Sequence, residues 1–427
     1  MLVQNTITGR TAVEIAASVE AAVASGAAAA GDLLPPVRGL AGHLGVSAAT
    51  VASAYRLLQE RGVVTAERRR GTRVRPASPV AAPAEAPLPK NVRDLATGNP
   101  DRTFLAERRL YDEGLNDPEL VRLAKKYFLA EHVPAEHIAI VSGALDGVER
   151  ALREQLRAGD RVLVEDPAFT GILDLLYALA LVPVPVDVDD EGIVPASLER
   201  ALRGDAKALI ITPRAQNPTG AAITPRRGRA LRTLLDRRPE LLLIEDDHAG
   251  PVAGAPYATL VTPARARWAV VRSVSKFLGP DLRVGLMTGD AQTIARVAGR
   301  QTLGIRWVSH ILQHRVAALL RDRATRARLG KAERAYKERR EALLRELRRR
   351  GIAAHGASGL NVWIPLAEEA AVVQALFQRG WAVNAGERYR VASPPAIRVT
   401  VATLSPRDAA RFAGDLAEII GQRGARA

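Results

Sequence analysis

The stretch RSVSKFLGPDLR, residues 272–283, places one lysine between two serines and a glycine–proline break. Lys276 follows an apolar run, and Arg283 comes seven residues later. A surface lysine needs no such setting, but a lysine that holds a phosphorylated aldehyde does. Hydroxyl groups at Ser273 and Ser275 and the guanidinium of Arg283 can bind the phosphate, while the amine forms the covalent bond.

Around this lysine the sequence alternates between strand-like and helix-like segments. Five apolar runs predict strands, and each ends in small or polar residues: IAIVSG (138–143), RVLVEDP (161–167), ALIITP (208–213), LLLIEDD (241–247) and WAVVRSVS (268–275). Strands that are apolar on both faces, with helices between them, predict an α/β fold with a mainly parallel sheet. Ligands bind such sheets beyond the carboxyl ends of the strands, so we expect the chemistry there.

The residues at these strand ends suit one aromatic, phosphorylated ligand. Ser142, Gly143 and Ala144 open a helix after a strand, where free backbone N–H groups can bind a phosphate. Four other side chains can supply a carboxylate for a ring nitrogen, a donor for a ring oxygen, an aromatic face for stacking and an arginine for a substrate carboxylate: Asp246, Asn217, Phe169 and Arg398.

The first 76 residues predict a winged helix-turn-helix. Gly45 joins two short helical patterns, and Ser47 is suited to cap the second of them. A basic hairpin follows, and the segment has nine arginines against five acidic residues. We expect the recognition helix to enter a DNA groove and the wing to reach phosphates, with these contact candidates: Arg38, Ser47, Ala48, Thr50, Tyr55, Arg68, Arg69, Arg70 and Arg73. The alternative is an interaction module of the same shape.

Proline recurs among alanines at 77–92, which predicts an extended linker between a DNA-binding domain, 1–76, and a large domain, 93–427. The last part, from about 325 to 427, looks like a small α+β lobe. The charged stretch 321–350 predicts a solvated helix, with a DNA-contacting face as the alternative.

Composition sets broad limits for the 427 residues. The net charge of +15 favours a polyanion partner, and the absence of cysteine excludes disulfides and thiolate metal sites. No apolar run reaches the roughly 18 residues that cross a membrane, and no signal peptide is visible, so we expect a cytoplasmic protein without a membrane partner. His310 and His314 have a spacing that metal ligands can have, but without a nearby acidic ligand we expect a helix face and no metal.

Nearly the whole chain resembles a known architecture. Residues 1–76 resemble the winged helix of the GntR family of bacterial regulators, in which the arginine at position 38 contacts DNA. From about 93 to 420, the order NPTG, EDD, SVSKFLGPDLRVG and IRV resembles fold type I pyridoxal-phosphate enzymes of the aspartate aminotransferase class. Together the two parts are similar to the MocR/GabR subfamily of transcriptional regulators.

The resemblance implies pyridoxal 5′-phosphate as cofactor and a homodimer with shared sites. Lys276 would form the Schiff base and Asp246 would pair with the pyridinium, as the two catalytic residues. Asn217 would contact O3′ of the ring and Arg398 an α-carboxylate. The phosphate would meet Gly143, Ala144, Ser273 and Arg283, and Tyr111 would reach the phosphate of the neighbouring subunit. Gly98 and Asn99 would lie near the substrate.

The chain departs from the family at several of these positions. His248 stands where the family has a tyrosine that helps to hold O3′; an imidazole can also donate there, and its proton titrates near neutral pH. Ala144 replaces a hydroxyl-bearing residue in the phosphate loop. Ala48 replaces the arginine that usually follows the serine of the recognition helix. Asn116 and Asp117 replace a more compact glycine turn near Tyr111.

Together these features favour a DNA-binding transcriptional regulator. Its large domain would sense pyridoxal phosphate, alone or as an external aldimine with an amino-acid effector, and pass the signal to an operator. The alternative is a metabolic aminotransferase in which Lys276 is the general base. A third hypothesis is a sensor of vitamin B6 itself that controls its synthesis or salvage. The substitutions at 144 and 248 and the basic wing favour regulation.

Overall fold

A computed structural model describes residues 6–24, 27–29, 31–60, 63–67, 71–74 and 114–424. The chain divides into two compact units, Met1–Val80 and Ala81–Ala427. Several predictions fall outside the described residues and stay predictions: the linker at 77–92, the wing tip Arg68 to Arg70, the pocket candidates Gly98 and Asn99, and Tyr111.

The first unit is a winged helix. Its elements are α1 (Ala12–Ala24), α2 (Val37–Leu44), α3 (Ala48–Glu60), β1 (Val64–Glu67) and β2 (Gly71–Val74), and the two strands pair antiparallel. Gly45 ends α2 with a positive φ of 66°, a conformation that glycine adopts without strain. Ser47 then caps α3 as predicted, because its Oγ accepts the backbone N–H of Thr50 at 3.1 Å. The buried faces of the helices form one core around Ile15, Leu40 and Leu58.

The second unit contains an eight-stranded sheet with the order β3-β10-β9-β8-β7-β4-β5-β6. Its strands are β3 (His137–Val141), β4 (Arg161–Asp166), β5 (Val182–Asp189), β6 (Gly192–Ile193), β7 (Ala208–Ile211), β8 (Leu242–Asp247), β9 (Trp268–Ser273) and β10 (Gly285–Gly289). The pairs along β9-β8-β7-β4-β5 are parallel, while β10 is antiparallel to both of its neighbours. The predicted α/β class with a mainly parallel sheet is confirmed.

Helices cover both faces of this sheet. One face packs on α4 (Pro118–Leu129), α7 (Pro195–Leu202), α8 (Pro225–Leu235) and α10 (His310–Arg321). The other packs on α5 (Ala144–Arg153), α6 (Thr170–Ala178) and α9 (Ala291–Thr302). The strands are therefore buried on both sides, which explains why their sequences are continuously apolar.

The chain then enters a C-terminal lobe through the long helix α11 (Arg323–Arg349), which Asp322 caps with hydrogen bonds to Ala324 and Thr325. The lobe contains a three-stranded antiparallel sheet against two helices: β11 (Asn361–Pro365), α12 (Ala370–Gln378), β12 (Asn384–Ala385), β13 (Ala396–Thr400) and α13 (Pro406–Gly424). In α11, Leu343 and Leu347 are buried in the core of this lobe while most of its arginines are exposed. The solvated-helix interpretation of 321–350 fits this arrangement.

Candidate functional site

The loop after β9 carries Lys276, whose side chain is exposed. Buried Val274 anchors the loop, because its N–H donates to the carbonyl of Val284 at the start of the neighbouring strand. Ser273 Oγ accepts the N–H of Ser275 at 3.2 Å. Ser275 Oγ is buried and has no hydrogen-bond partner among the described residues. A flanking hydroxyl is therefore left for a group that the protein itself does not supply.

Gly143 and Arg283 form a cradle at the start of α5. The guanidinium Nη2 of Arg283 lies 3.4 Å from the carbonyl of Ser142, and a Cβ added to Gly143 would lie 3.0 Å from that Nη2. Gly143 also has a φ of 98°, which side-chain-bearing residues rarely adopt. A helix N-terminus and a guanidinium thus meet where only glycine fits. This combination suits a phosphate, since both groups attract anions.

Asp246, near the end of β8, is buried, and its Oδ1 has no hydrogen-bond partner among the described residues. Burial, and then the charge of the neighbouring Asp247, raise the pKa of Asp246 to about 7. A cationic ring nitrogen beside this carboxylate would supply the missing partner and offset the effect of burial and of Asp247 on its pKa.

Asp247 lies on the opposite face of β8 in a buried network of charges. Its carboxylate accepts hydrogen bonds from Arg214 Nε and Nη2 at 3.0 and 2.8 Å and from Arg272 Nε at 2.6 Å. Glu131, just beyond α4, pairs with both arginines. Burial alone would raise the pKa of Asp247, but Arg272 and Arg214 outweigh burial and hold that pKa well below its usual range. The network ties three strand ends to α4.

His248 behaves differently from the prediction. Its Nε2 lies 2.9 Å from the carbonyl oxygen of Ala215, and since a carbonyl only accepts, Nε2 must carry the proton. Burial lowers the pKa of His248 to about 4, so the ring is neutral near pH 7 and Nδ1 is an acceptor. The expectations that this imidazole titrates near neutral pH and donates to a ring oxygen are therefore corrected.

Phe169 and Asn217 lie on two neighbouring loops at the carboxyl edge of the sheet. Gly171 leaves room for the Phe169 ring, because a Cβ at 171 would lie 2.7 Å from Phe169 Cε1. Asn217 Oδ1 accepts from Arg398 Nη1 at 3.1 Å and from Asn361 Nδ2 at 3.3 Å, which joins this loop to the C-terminal lobe. Arg398 Nε is buried without a partner among the described residues.

The described residues fit pyridoxal phosphate. Three buried polar atoms that have no hydrogen-bond partner within the described part of the chain belong to predicted site residues: Ser275 Oγ, Asp246 Oδ1 and Arg398 Nε. Buried polar groups normally find partners, so unpartnered atoms on residues predicted to share one ligand indicate a ligand site. The glycine cradle against Arg283 supplies the anion-binding end that the phosphate requires.

The first unit offers a candidate DNA surface. Arg38, Ser47 and Ala48 are exposed, and Thr50 is half-buried with its hydroxyl 2.8 Å from Ser47 Oγ. The prediction that Tyr55 contacts DNA is corrected by the structure. Its side chain is buried and its hydroxyl donates to the carbonyl of Pro35 at 2.7 Å, so Tyr55 belongs to the core of the winged helix. Arg73 donates to the carbonyl of Gly31 at 2.9 Å, which leaves other nitrogens of its guanidinium for a phosphate.

His310 and His314, on α10, contact the segment of chain that precedes α4. His310 Nε2 lies 2.9 Å from the carbonyl of Gly114, and His314 Nε2 lies 2.9 Å from Asp117 Oδ2. Gln313, on the same face of α10, accepts the N–H of Asp117. Within the described residues no cluster of potential metal ligands is found.

Sequence reasoning missed several residues that shape the site. Arg214 and Arg272 stabilise Asp247, Glu131 pairs with both arginines, and Asp166 contacts the C-terminal lobe. Polar residues inside apolar runs, such as the arginine in WAVVRSVS, were the available signal. Their partners are distant in sequence, so the signal could not say what they bind.

Comparison with known protein families gives two matches. The model for aminotransferase class I and II matches residues 107–416, and the model for bacterial regulatory proteins of the gntR family matches residues 11–74. The vitamin B6 salvage pathway transcriptional repressor PtsJ of Salmonella typhimurium is 38% identical over 97% of this chain and 100% of its own. This chain is a GntR-type transcriptional regulator with an aminotransferase domain. The predicted DNA-binding function and the MocR-type architecture are confirmed, and so is pyridoxal phosphate as the cofactor of this fold.

Other relatives of this regulator include the pyridoxine biosynthesis transcriptional regulator PdxR of Corynebacterium glutamicum, 30% identical over 74% of each chain. Among solved structures, LysN, the alpha-aminoadipate aminotransferase of Thermus thermophilus, has a TM-score of 0.66 at 21% identity and covers 74% of this chain and 84% of its own. That likeness shows the fold alone. Among the described residues, no helix is long and apolar enough to span a bilayer.

Proposed function

We propose that the regulator senses pyridoxal phosphate in its aminotransferase domain and changes its affinity for an operator in response. The observation that carries this proposal is the buried carboxylate oxygen of Asp246, which has no hydrogen-bond partner among the described residues and lies on the strand next to the one that leads into the Lys276 loop. Because Asp246 gains a partner only when the ligand binds, the empty and the occupied domain differ in free energy, and a regulator can use that difference. The ligand changes DNA affinity only if it binds two conformations unequally, and closure of the C-terminal lobe could provide the two conformations.

In this proposal each residue binds a different part of the cofactor. Lys276 would bind the aldehyde carbon, Asp246 the ring nitrogen, Asn217 the ring oxygen, and Phe169 the ring face. The phosphate would be held by Gly143, Ala144, Ser273, Ser275 and Arg283. When bound, the cofactor supplies an electrophilic carbon and an electron sink for amino compounds. His248, as a neutral acceptor fixed to Ala215, would give the ring oxygen no second donor, which favours reversible occupancy.

The relatives support vitamin B6 metabolism as the regulated process. PtsJ is named for a vitamin B6 salvage pathway and PdxR for pyridoxine biosynthesis. We propose that this regulator controls genes of the same kind, so that cofactor occupancy reports the supply of the vitamin. An amino-acid effector would add its carboxylate at Arg398. One nitrogen of its guanidinium donates to Asn217, and its buried Nε has no partner among the residues that the structure describes.

We also propose that the regulator forms a homodimer in the cytoplasm. Four large apolar side chains between the end of α9 and the start of α10 are more than 40% exposed: Leu303, Ile305, Trp307 and Ile311. An apolar patch of this kind is costly in water and is typical of a protein interface. The same α10 holds residues 114–117, the segment that follows Tyr111, so a partner on this patch would lie close to that segment.

The test is a Lys276→Ala variant of the full-length protein. We expect wild-type protein to gain the absorption band of bound pyridoxal phosphate and to retain the cofactor on Lys276 after borohydride reduction, as read by mass spectrometry. Lys276→Ala should show neither, because no other amine replaces it at that position. In a gel-shift with duplex DNA from upstream of the regulator's own gene, pyridoxal phosphate should change wild-type affinity and leave the variant unchanged.

Lys331→Ala is the matched control, since it removes an exposed lysine on α11. It should behave like wild type in both assays. DNA affinity that does not respond to pyridoxal phosphate in the wild type would refute the sensor. Rapid conversion of the bound cofactor to its pyridoxamine form by common amino acids would favour the metabolic aminotransferase instead.

A further inference from the structure

Asp166, the last residue of β4, binds the C-terminal lobe with its whole carboxylate. Oδ1 accepts from the N–H of Val391 and the hydroxyl of Ser393, both at 2.9 Å. Oδ2 accepts from the N–H groups of Ala392 and Ser393, both at 2.7 Å. Asp166 is 5% exposed, so these bonds form away from water, where charge-assisted hydrogen bonds are strong. One buried carboxylate therefore fixes three consecutive residues of the lobe to the sheet.

A second bond from the same loop extends this attachment. The N–H of Ala168 donates to the carbonyl of Tyr389 at 2.7 Å. The ring of Tyr389 is buried against Trp363, at 6.1 Å between centroids, and the guanidinium carbon of Arg398 lies 5.0 Å from the Tyr389 centroid. The loop after β4 thus sets the position of the aromatic ring on which Arg398 rests.

Arg398 is held on its other side by a different loop of the large sheet, through Asn217 Oδ1. The guanidinium therefore lies between two supports, and both are fixed by the loops that carry Phe169 and Asn217, the proposed ring contacts. Glu369 offers a contrast: it accepts from Arg390 Nη2 at 2.8 Å and from the N–H of Ala396 at 3.0 Å, both inside the C-terminal lobe. Glu369 shapes the segment, whereas Asp166 attaches it to the sheet.

We propose that Asp166 is a positioning residue for the effector site: by fixing residues 389–393 to the sheet, it places Arg398 where an amino-acid carboxylate joined to the cofactor can be bound. The inference rests on the proposed function, because it requires that cofactor and amino acid share this site. Asp166 contacts neither of them. It acts through Tyr389 and Arg398, so its loss should weaken binding of the amino-acid carboxylate and leave binding of the cofactor unchanged.

The experiment compares two probes on the full-length protein freed of cofactor. Pyridoxamine phosphate carries no carboxylate, whereas N-(5′-phosphopyridoxyl)-L-leucine carries the same ring and phosphate with an amino-acid carboxylate. We expect wild-type protein to bind the leucine adduct more tightly. Asp166→Asn should weaken binding of the adduct about tenfold and leave pyridoxamine phosphate unchanged, because an amide cannot accept all four hydrogen bonds. Ser393→Ala removes one of these four hydrogen bonds, so it should also weaken binding of the adduct, but by less than Asp166→Asn does.

Asp160→Asn is the matched control. Asp160 precedes the other end of β4, and its carboxylate accepts the N–H of Arg157 within the large domain, so neither probe should respond. Equal losses for both probes in Asp166→Asn, or no loss for either in both Asp166→Asn and Ser393→Ala, would overturn the positioning role. Wild-type protein that binds neither probe would overturn the proposed function as well, which distinguishes the two failures.

Discussion

Asp246 and Asp247 follow each other on β8 and are both buried, yet their side chains lie on opposite faces of the sheet and meet opposite environments. Asp247 accepts hydrogen bonds from two arginines that Glu131 also binds. Asp246 keeps an oxygen without a partner among the described residues. The pKa of Asp247 is held well below its usual range, whereas the pKa of Asp246 is raised to about 7.

The contrast separates two uses of a buried charge. Arg214, on the loop after β7, and Arg272, on β9, satisfy Asp247, so its role is complete in the folded chain. Nothing in the described part of the chain satisfies Asp246 Oδ1, which costs free energy unless a ligand supplies a cation. A carboxylate that a fold buries and leaves unpartnered is therefore the better candidate for a functional group.

The largest effect is expected when the satisfied carboxylate is removed. Asp247→Asn leaves Arg214 and Arg272 buried with fewer negative partners, and it should lower the free energy of unfolding by about 3–5 kcal/mol. Denaturant unfolding of the full-length protein measures this change. Removing the neighbouring charge should also lower the pKa of Asp246, because Asp247 is one of the two causes that raise it.

Asp205→Asn provides the comparison for that variant. Its carboxylate is 75% exposed and lies 3.5 Å from Arg161 Nε. Exposed pairs contribute about 0–1 kcal/mol, so the change should be small. A loss for Asp247→Asn no larger than for Asp205→Asn would mean that the buried network does not stabilise the domain.

The second prediction removes the unsatisfied carboxylate. With a folded-state pKa near 7 against an ordinary 3.8, Asp246 holds its proton in the folded protein after the unfolded chain has lost it. The free energy of unfolding therefore falls as pH rises between these values, and the loss is complete above pH 7. Asn has no proton to lose, so cofactor-free Asp246→Asn should exceed wild type in stability by about 4 kcal/mol at pH 8 and show no such gain at pH 4.

Cofactor binding should change in the opposite direction. Without a carboxylate for the ring nitrogen, Asp246→Asn should bind pyridoxal phosphate on the order of a hundredfold more weakly, as measured by titration of the absorption band. Burial also raises the pKa of Glu165 and Glu245. Glu245 has the same neighbours in wild type and variant, so its contribution cancels in the difference. The charge of Asp246 helps to raise the pKa of Glu165, so Asp246→Asn should lower that pKa and change the stability in the same direction. Parallel stability curves for the two proteins between pH 4 and pH 8 would contradict the assignment.

The sequence was sufficient to predict the architecture and to predict which residues lie together at the carboxyl edge of the sheet. Five apolar runs became β3, β4, β7, β8 and β9, because strands buried on both faces must be apolar throughout. Their carboxyl ends share one edge, so Asn217 could be expected beside the cofactor loop before its contacts were known. Ser47 was recognisable as a helix cap because a cap depends on neighbours only three residues away.

What the sequence could not give depends on partners far along the chain. The contacts of Asp166 lie 225 to 227 residues away, and the N–H of His248 is taken by a carbonyl 33 residues distant. Tyr55 was misassigned for the same reason, since nothing near it indicates that Pro35 accepts its hydroxyl. Local patterns name polar residues, but only the fold decides whether the chain or a ligand satisfies them.

The smallest effects are expected in the winged helix, where Arg38 and Tyr55 repeat the contrast between a group left for a ligand and one satisfied by the fold. Arg38→Ala should weaken binding to duplex DNA from upstream of the regulator's own gene about tenfold, and leave stability unchanged, because the side chain is exposed. Tyr55→Phe should do the reverse: it loses the bond to Pro35 and about 1 kcal/mol of stability, with DNA affinity retained. Gel-shift titration and thermal unfolding of both variants measure the four quantities. If Tyr55→Phe instead weakened DNA binding and left stability unchanged, Tyr55 would belong to the DNA-binding surface. The winged helix would then not show the contrast seen between Asp246 and Asp247.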